Sequence, residues 1–116
     1  MHELSIAHAI VDAVREASGD APVAEVRIRV GGLSSVVPEA LCFAYEVAAE
    51  DTCCAGSALV ISEVPVTVWC PACDASAELA VPLRFRCPRC ETPTADVRSG
   101  RELEVASYTL ALAVGA

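Results

Sequence analysis

Two Cys-x-x-Cys pairs, Cys70-Pro71-Ala72-Cys73 and Cys87-Pro88-Arg89-Cys90, offer four thiols with thirteen residues between the pairs. This pattern suits one tetrahedral ion. Each short spacing sets two sulfurs on a tight turn, the proline stiffens that turn by fixing its own φ, and the intervening chain is long enough for a hairpin that returns to the metal. Zinc is the expected ion, although iron in a rubredoxin-like site uses the same ligands. Four protein thiolates leave no coordination position for water or substrate, so the expected role is structural. A redox dithiol calls for one pair in a βαβ context, and a disulfide framework calls for an oxidising compartment; neither setting is indicated. Arg84, Arg86 and Arg89 lie close enough in sequence to offset the negative charge of a zinc tetrathiolate, or simply to keep a thinly cored lobe solvated.

The amino terminus, Met1-His2-Glu3, holds a second candidate. A histidine near a chain end is ordinarily solvated and idle. At residue two, however, the imidazole, its own backbone nitrogen, the next backbone nitrogen and a terminal amine on Met1 can close small chelate rings around one ion. Such nitrogen coordination favours Ni(II) or Cu(II), whose tetragonal preference tolerates deprotonated amide ligands. Glu3 is placed to orient or support the site. His8 lies at the edge of the following helix and receives no metal role.

Those candidates must be held by a small framework. Leu4 to Ala17 places Leu4, Ala7, Val11 and Val14 at helical spacing, and Ser18-Gly19-Asp20-Ala21-Pro22 ends that helix in a turn. Glu25 to Val30 alternates charged and β-branched residues, which predicts a strand with Val26, Ile28 and Val30 facing a core. Gly31-Gly32 ends it. Pro38 suits the first turn of a second helix reaching about Glu50, with Leu41, Ala44, Tyr45 and Ala48 on one face and Phe43 and Val47 on a neighbouring one. Leu59 to Val68 reads as the next strand, with Pro65 marking where the chain leaves the main sheet. Trp69 to Ser99 forms the cysteine module, and Glu102 to Leu112 is again strand-like. The order predicts an α+β fold: two helices with a three-stranded sheet, plus an inserted zinc-ribbon-like lobe. The corresponding division is an α+β domain over 1–66 and 101–116 and a zinc-binding domain over 67–100.

The chain has 116 residues, sixteen acidic and eight basic, with no lysine and a formal charge of −8. Nucleic acid is therefore a poor partner, because phosphate binding draws on clustered positive charge. No apolar run approaches the roughly 20 residues of a membrane span. With no secretory leader pattern at the start, a cytoplasmic protein is expected. The remaining cysteines, Cys42, Cys53 and Cys54, read as small buried or half-buried thiols, since adjacent cysteines rarely form a relaxed disulfide.

Several segments in order resemble the HypA/HybF family of hydrogenase-maturation nickel metallochaperones. They are Met1-His2-Glu3-Leu4-Ser5, Gly32-Leu33-Ser34 followed by Pro38-Glu39-Ala40-Leu41, the two cysteine pairs, and Ser99-Gly100-Arg101-Glu102-Leu103. The resemblance implies a nickel site in which His2 is the essential side-chain ligand, the backbone nitrogens of His2 and Glu3 contribute, and Glu3 supports. It also implies Cys70, Cys73, Cys87 and Cys90 as ligands of a structural Zn(II), with Ni(II) as transferred cargo. The implied function is a carrier, not an enzyme, that delivers nickel to the large subunit of nickel-iron hydrogenase with a HypB-type GTPase, and in some members serves urease maturation proteins. The alternative is a zinc-ribbon protein-interaction module without nickel handling. One departure is visible: Asp74 and Glu91 follow the cysteine pairs where zinc knuckles commonly have glycine.

Overall fold

The computed structural model describes residues 2–112. Its elements run α1 (Glu3–Ser18), β1 (Val23–Gly31), α2 (Pro38–Ala49), β2 (Ala58–Val64), β3 (Thr67–Cys70), β4 (Ala75–Glu78), β5 (Val97–Ser99) and β6 (Leu103–Leu110). They form two three-stranded sheets, ordered β2-β1-β6 and β4-β3-β5. The described residues divide into two compact units, one of 2–29, 35–62 and 104–112, the other of 30–34 and 63–103.

In the first unit, α1 buries Ala7, Ile10, Val11 and Val14. Leu4, expected on that face, is 48 % exposed, and Ile10 takes a core place instead. The helix stops as its sequence predicts. Gly19 adopts φ 62° and donates its N–H to the Arg15 carbonyl, while Arg15 Nε pairs with Asp20 Oδ1 at 2.9 Å. A glycine supplies that left-handed cap without the Cβ clash other residues suffer.

Helix α2 starts with Val37 as its cap and Pro38 in its first turn, where a missing N–H loses no helical bond. It packs against α1 and buries Leu41, Ala44, Tyr45, Ala48 and Ala49, leaving Phe43 69 % exposed. The Tyr45 hydroxyl meets Ser57 Oγ at 2.6 Å, so the phenol is buried with its polar end satisfied. Val26, Ile28 and Val30 of β1 are buried, in the alternation its sequence shows.

The expected strand over Leu59–Val68 is two strands, β2 and β3, which belong to different sheets. Pro65 lies between them and has no N–H to continue a ladder.

The second unit is built on β3, which pairs antiparallel with β4 from Thr67↔Glu78 to Cys70↔Ala75 and with β5 on its other side. Its hydrophobic cluster is small: Val66, Val68 and Leu79, with Leu33, Leu83 and Val97 packed against them. Residues 30–34, placed with the first domain by the expected division, join this unit through main-chain bonds. Gly31 N–H donates to the Glu102 carbonyl and Leu33 N–H to the Gly100 carbonyl, both at 2.7 Å. Glycine is required here. A Cβ on Gly31 would lie 2.1 Å from the Gly100 carbonyl oxygen, and one on Gly100, at φ 116°, would lie 2.9 Å from Val66 Cα.

Candidate metal centre

The β3–β4 turn carries Cys70 and Cys73; the segment around Arg86, bridged to Pro93, carries Cys87 and Cys90. Each turn is closed by its own main chain. Cys73 N–H approaches Cys70 Sγ at 3.4 Å, and the Glu91 N–H donates to the Cys87 carbonyl at 2.8 Å. Leaving the second turn, Cys87 N–H donates to the Thr92 carbonyl at 2.9 Å. Asp74 and Glu91, one residue beyond each pair, both adopt left-handed φ, at 53° and 61°.

All four Sγ atoms lie within 4.8 Å of one another. The separations are 3.5 Å for Cys70–Cys90, 3.5 Å for Cys73–Cys90 and 3.9 Å for Cys73–Cys87. Zn–S bonds of about 2.3 Å in a regular tetrahedron place sulfurs about 3.8 Å apart, so the group fits such an ion. The separations are far beyond the ~2.05 Å of a disulfide bond, and all seven cysteines are free. Cys70 and Cys87 are buried, Cys73 is half-buried and Cys90 is exposed.

The thiols are not electrostatically alike. Cys90 is pulled down to about 6, first by the Thr92 hydroxyl, which sits 3.1 Å from its sulfur, then by the Thr92 backbone N–H and by Cys73. Cys73 is pushed up to about 11, chiefly because it donates its proton to Cys90. Cys87 is held below the usual thiol range by the N–H groups of Cys90 and Arg89. Donors around the rim thus favour thiolate at Cys87 and Cys90, while Cys73 keeps its proton directed at Cys90. A dication held by Cys70, Cys73, Cys87 and Cys90 would favour thiolate at each of them.

Arg89 is the cation at this site. Its guanidinium hydrogen-bonds Cys73, which raises its own pKa, and Nη2 donates to the Ser76 carbonyl at 3.3 Å. Arg86 Nη1 instead reaches the Glu91 carbonyl, and no bond from Arg84 or Arg86 to a ligand sulfur is present among the described residues. Of the three arginines expected to offset the centre's charge, Arg89 does so. Thr92 carries no motif of its own; a hydroxyl two residues past the last cysteine is its only mark in the sequence.

The other candidate lies at the start of α1. His2 is exposed and occupies the N-cap position, its side chain making no capping bond, while its carbonyl accepts the Ile6 N–H at 3.0 Å. Glu3 is the first helical residue and is half-buried. Met1 falls outside the described residues. Among the described residues, the four cysteines are the one group of three or more His, Cys, Asp or Glu side chains whose ligand atoms converge, so His2 belongs to no second such group. Cys54 is fully buried, Cys53 is half-buried with its sulfur 3.9 Å from Ser18 Oγ, and Cys42 lines a shallow cavity with Glu39, Phe43 and Glu46. No described helix is long and apolar enough to cross a membrane.

Comparison with known proteins gives a consistent picture. A family model for HypA, described as a hydrogenase/urease nickel incorporation metallochaperone, matches residues 1–110. A hydrogenase maturation factor HypA from Chloroflexus aurantiacus (strain J-10-fl) is 49% identical over 108 residues, covering 90% of this chain and 95% of that protein. Another from Streptomyces avermitilis is 40% identical over 111 residues, covering 92% and 85%. The fold resembles the solution structure of the Ni metallochaperone HypA from Helicobacter pylori, with a TM-score of 0.61 at 18% identity over 93% of this chain and 96% of that one.

Proposed function

The chain belongs to the HypA family of metallochaperones for nickel incorporation in hydrogenase maturation, and from that premise we propose that it binds Ni(II) at its amino terminus and delivers it to the large subunit of nickel-iron hydrogenase. A HypB-type GTPase is the proposed partner in that delivery, and urease maturation proteins are a second class of client in keeping with the family's description. The observation that carries the reading is the family match over residues 1–110, which takes in both the amino-terminal candidate and the four cysteines.

His2 is the proposed side-chain ligand, with the backbone nitrogens of His2 and Glu3, the Met1 amine, and Glu3 as support. Two features favour it. The first N–H groups of a helix have no carbonyl one turn earlier to receive them, so using those nitrogens for a metal removes no helical hydrogen bond. His2 is also exposed, which lets an acceptor's ligands approach and exchange with the carrier's one at a time. A carrier depends on that exchange and has no call for a closed cage.

Cys70, Cys73, Cys87 and Cys90 are proposed to hold Zn(II). Bound there, zinc supplies a closed tetrahedral crosslink whose binding energy is folding energy for the small second unit. The residues do the rest: Thr92 and the turn amides favour thiolate, and Arg89 offsets charge at Cys73.

Native mass spectrometry tests the assignment. After incubation with Ni(II) and removal of loosely held ions, one zinc and one nickel per chain are expected. Uptake of zinc alone would favour an interaction module that never handles nickel.

A further inference from the structure

The segment between Glu78 and Glu91 contains Arg84, Arg86 and Arg89 and no acidic residue, in a chain whose formal charge is −8. It also holds two of the second unit's exposed large apolar side chains. Val81 is 88 % exposed and Phe85 is 43 % exposed, with Arg84 and Arg86 exposed on either side of that phenylalanine. Arg89 is occupied at Cys73. Arg84 and Arg86 are not engaged in that way. Among the described residues neither forms an ion pair with a carboxylate, whereas Arg15, Arg27, Arg29 and Arg98 all do. Arg86 commits Nη1 to the Glu91 carbonyl at 3.3 Å, and both guanidinium-bearing residues remain exposed on either side of the phenylalanine.

We infer that this strip, centred on Arg84, Phe85 and Arg86 with Val81 beside them, is a docking surface for an acidic segment of a partner protein that carries an apolar residue. Charge complementarity selects the acidic partner. Arginine and aromatic side chains are the groups that most often dominate interface energy, with the aromatic filling a pocket and arginine pairing carboxylates in a planar fork. The rest of the chain, being acidic, repels such a segment and steers it towards this strip. Nucleic acid is the other polyanion a basic strip can attract, but three arginines in a chain of net charge −8 make a poor phosphate track, and an exposed valine contributes nothing to one. Docking at this strip is independent of nickel binding.

The test uses the zinc-loaded full chain, labelled with ¹⁵N. The probe is a short synthetic peptide of alternating Glu and Leu around a central Phe, beside a control in which Lys replaces Glu. The expected result is amide shifts confined to residues 79–91 with the acidic peptide and none with the basic one. Affinity should fall at least tenfold in Arg84→Glu and several-fold in Phe85→Ser, and should weaken when salt is raised to about 0.5 M. Each variant is checked for zinc content and an otherwise unchanged spectrum, and wild-type localisation stands as a test even if a variant misfolds. No shifts at millimolar peptide, or shifts elsewhere, would overturn the proposal. So would tighter binding of a single-stranded RNA oligonucleotide at the strip, or concentration-dependent shifts of the same amides without peptide, which would assign the strip to a second copy of the chain.

Discussion

Asp74 and Glu91 stand in equivalent places, each one residue beyond the second cysteine of its pair, and both adopt left-handed φ, at 53° and 61°. The two turns reverse direction in the same way to bring sulfurs inward, and a left-handed residue is how each does it. Outside glycine that conformation costs roughly 1–2 kcal/mol, less for Asp, whose short side chain can bond locally. Glu91 has no such relief in its side-chain type. Glu91→Gly should therefore be neutral or stabilising by under about 1 kcal/mol, since glycine's extra freedom in the unfolded chain offsets part of the gain. Glu91→Val should be destabilising by about 1–2 kcal/mol and hasten metal loss to a chelator. Guanidinium melts of the metal-loaded protein give the comparison.

Gly31 and Gly100 meet through their main chains with no room for a Cβ between them. Gly31→Ala places a methyl against the Gly100 carbonyl, which has no rotamer by which to yield, and should cost about 3 kcal/mol or more. Gly100→Ala adds the strain of φ 116°. Both should lower the melting temperature measurably, while Gly56→Ala, with open space around its Cβ, should cost only the strain of its φ of 76°.

Burial pushes the Tyr45 phenol up to about 12 from the ordinary value of 10.0, with the bond to Ser57 opposing part of that rise. The sign follows from proton linkage. A raised folded value means the native state holds the proton longer, so this contribution to stability is complete below pH 10 and is lost as pH climbs towards 12. Ultraviolet titration should show a phenol that ionises only as the pH nears 12, and Tyr45→Phe should abolish that late step.

With its hydrophobic cluster limited to Val66, Val68 and Leu79 and the partly buried Leu33, Leu83 and Val97, the second unit has little apolar mass with which to fold unaided. Removing the metal with a strong chelator should broaden or collapse amide signals of residues 63–103 while those of α1 and α2 persist. Cys87→Ser should do the same without chelator, because it removes a buried thiol from the proposed ligand set.

How much of this was legible in the sequence varies by the physics involved. Cysteine spacing is nearly sufficient for the metal group, because two short turns and a hairpin leave the sulfurs few arrangements. Val26, Ile28 and the buried face of α2 were readable because period-two and helical patterns survive packing. Leu4 was not: apolar type says which residue can be buried, not whether a neighbour covers it, and at the first turn of α1 nothing does so fully. Nor could the pattern reveal that 30–34 join the second unit, since the main-chain bonds of Gly31 and Leu33 to residues 100–102 leave no trace in residue type beyond the glycines. Residues 74 and 91 were visible as departures from glycine, but their φ values were not. His2 shows the opposite limit: its candidacy comes from its position and family, and among the described residues no cluster of side chains marks it.

Nickel binding at the amino terminus is met most directly by calorimetric titration of untagged, zinc-loaded protein with Ni(II), run beside His2→Ala and a version with a short amino-terminal extension. One equivalent should bind to the native chain, and that binding should be lost, or fall at least tenfold in affinity, in both variants. Unchanged stoichiometry and affinity in His2→Ala would contradict a nickel site built on His2.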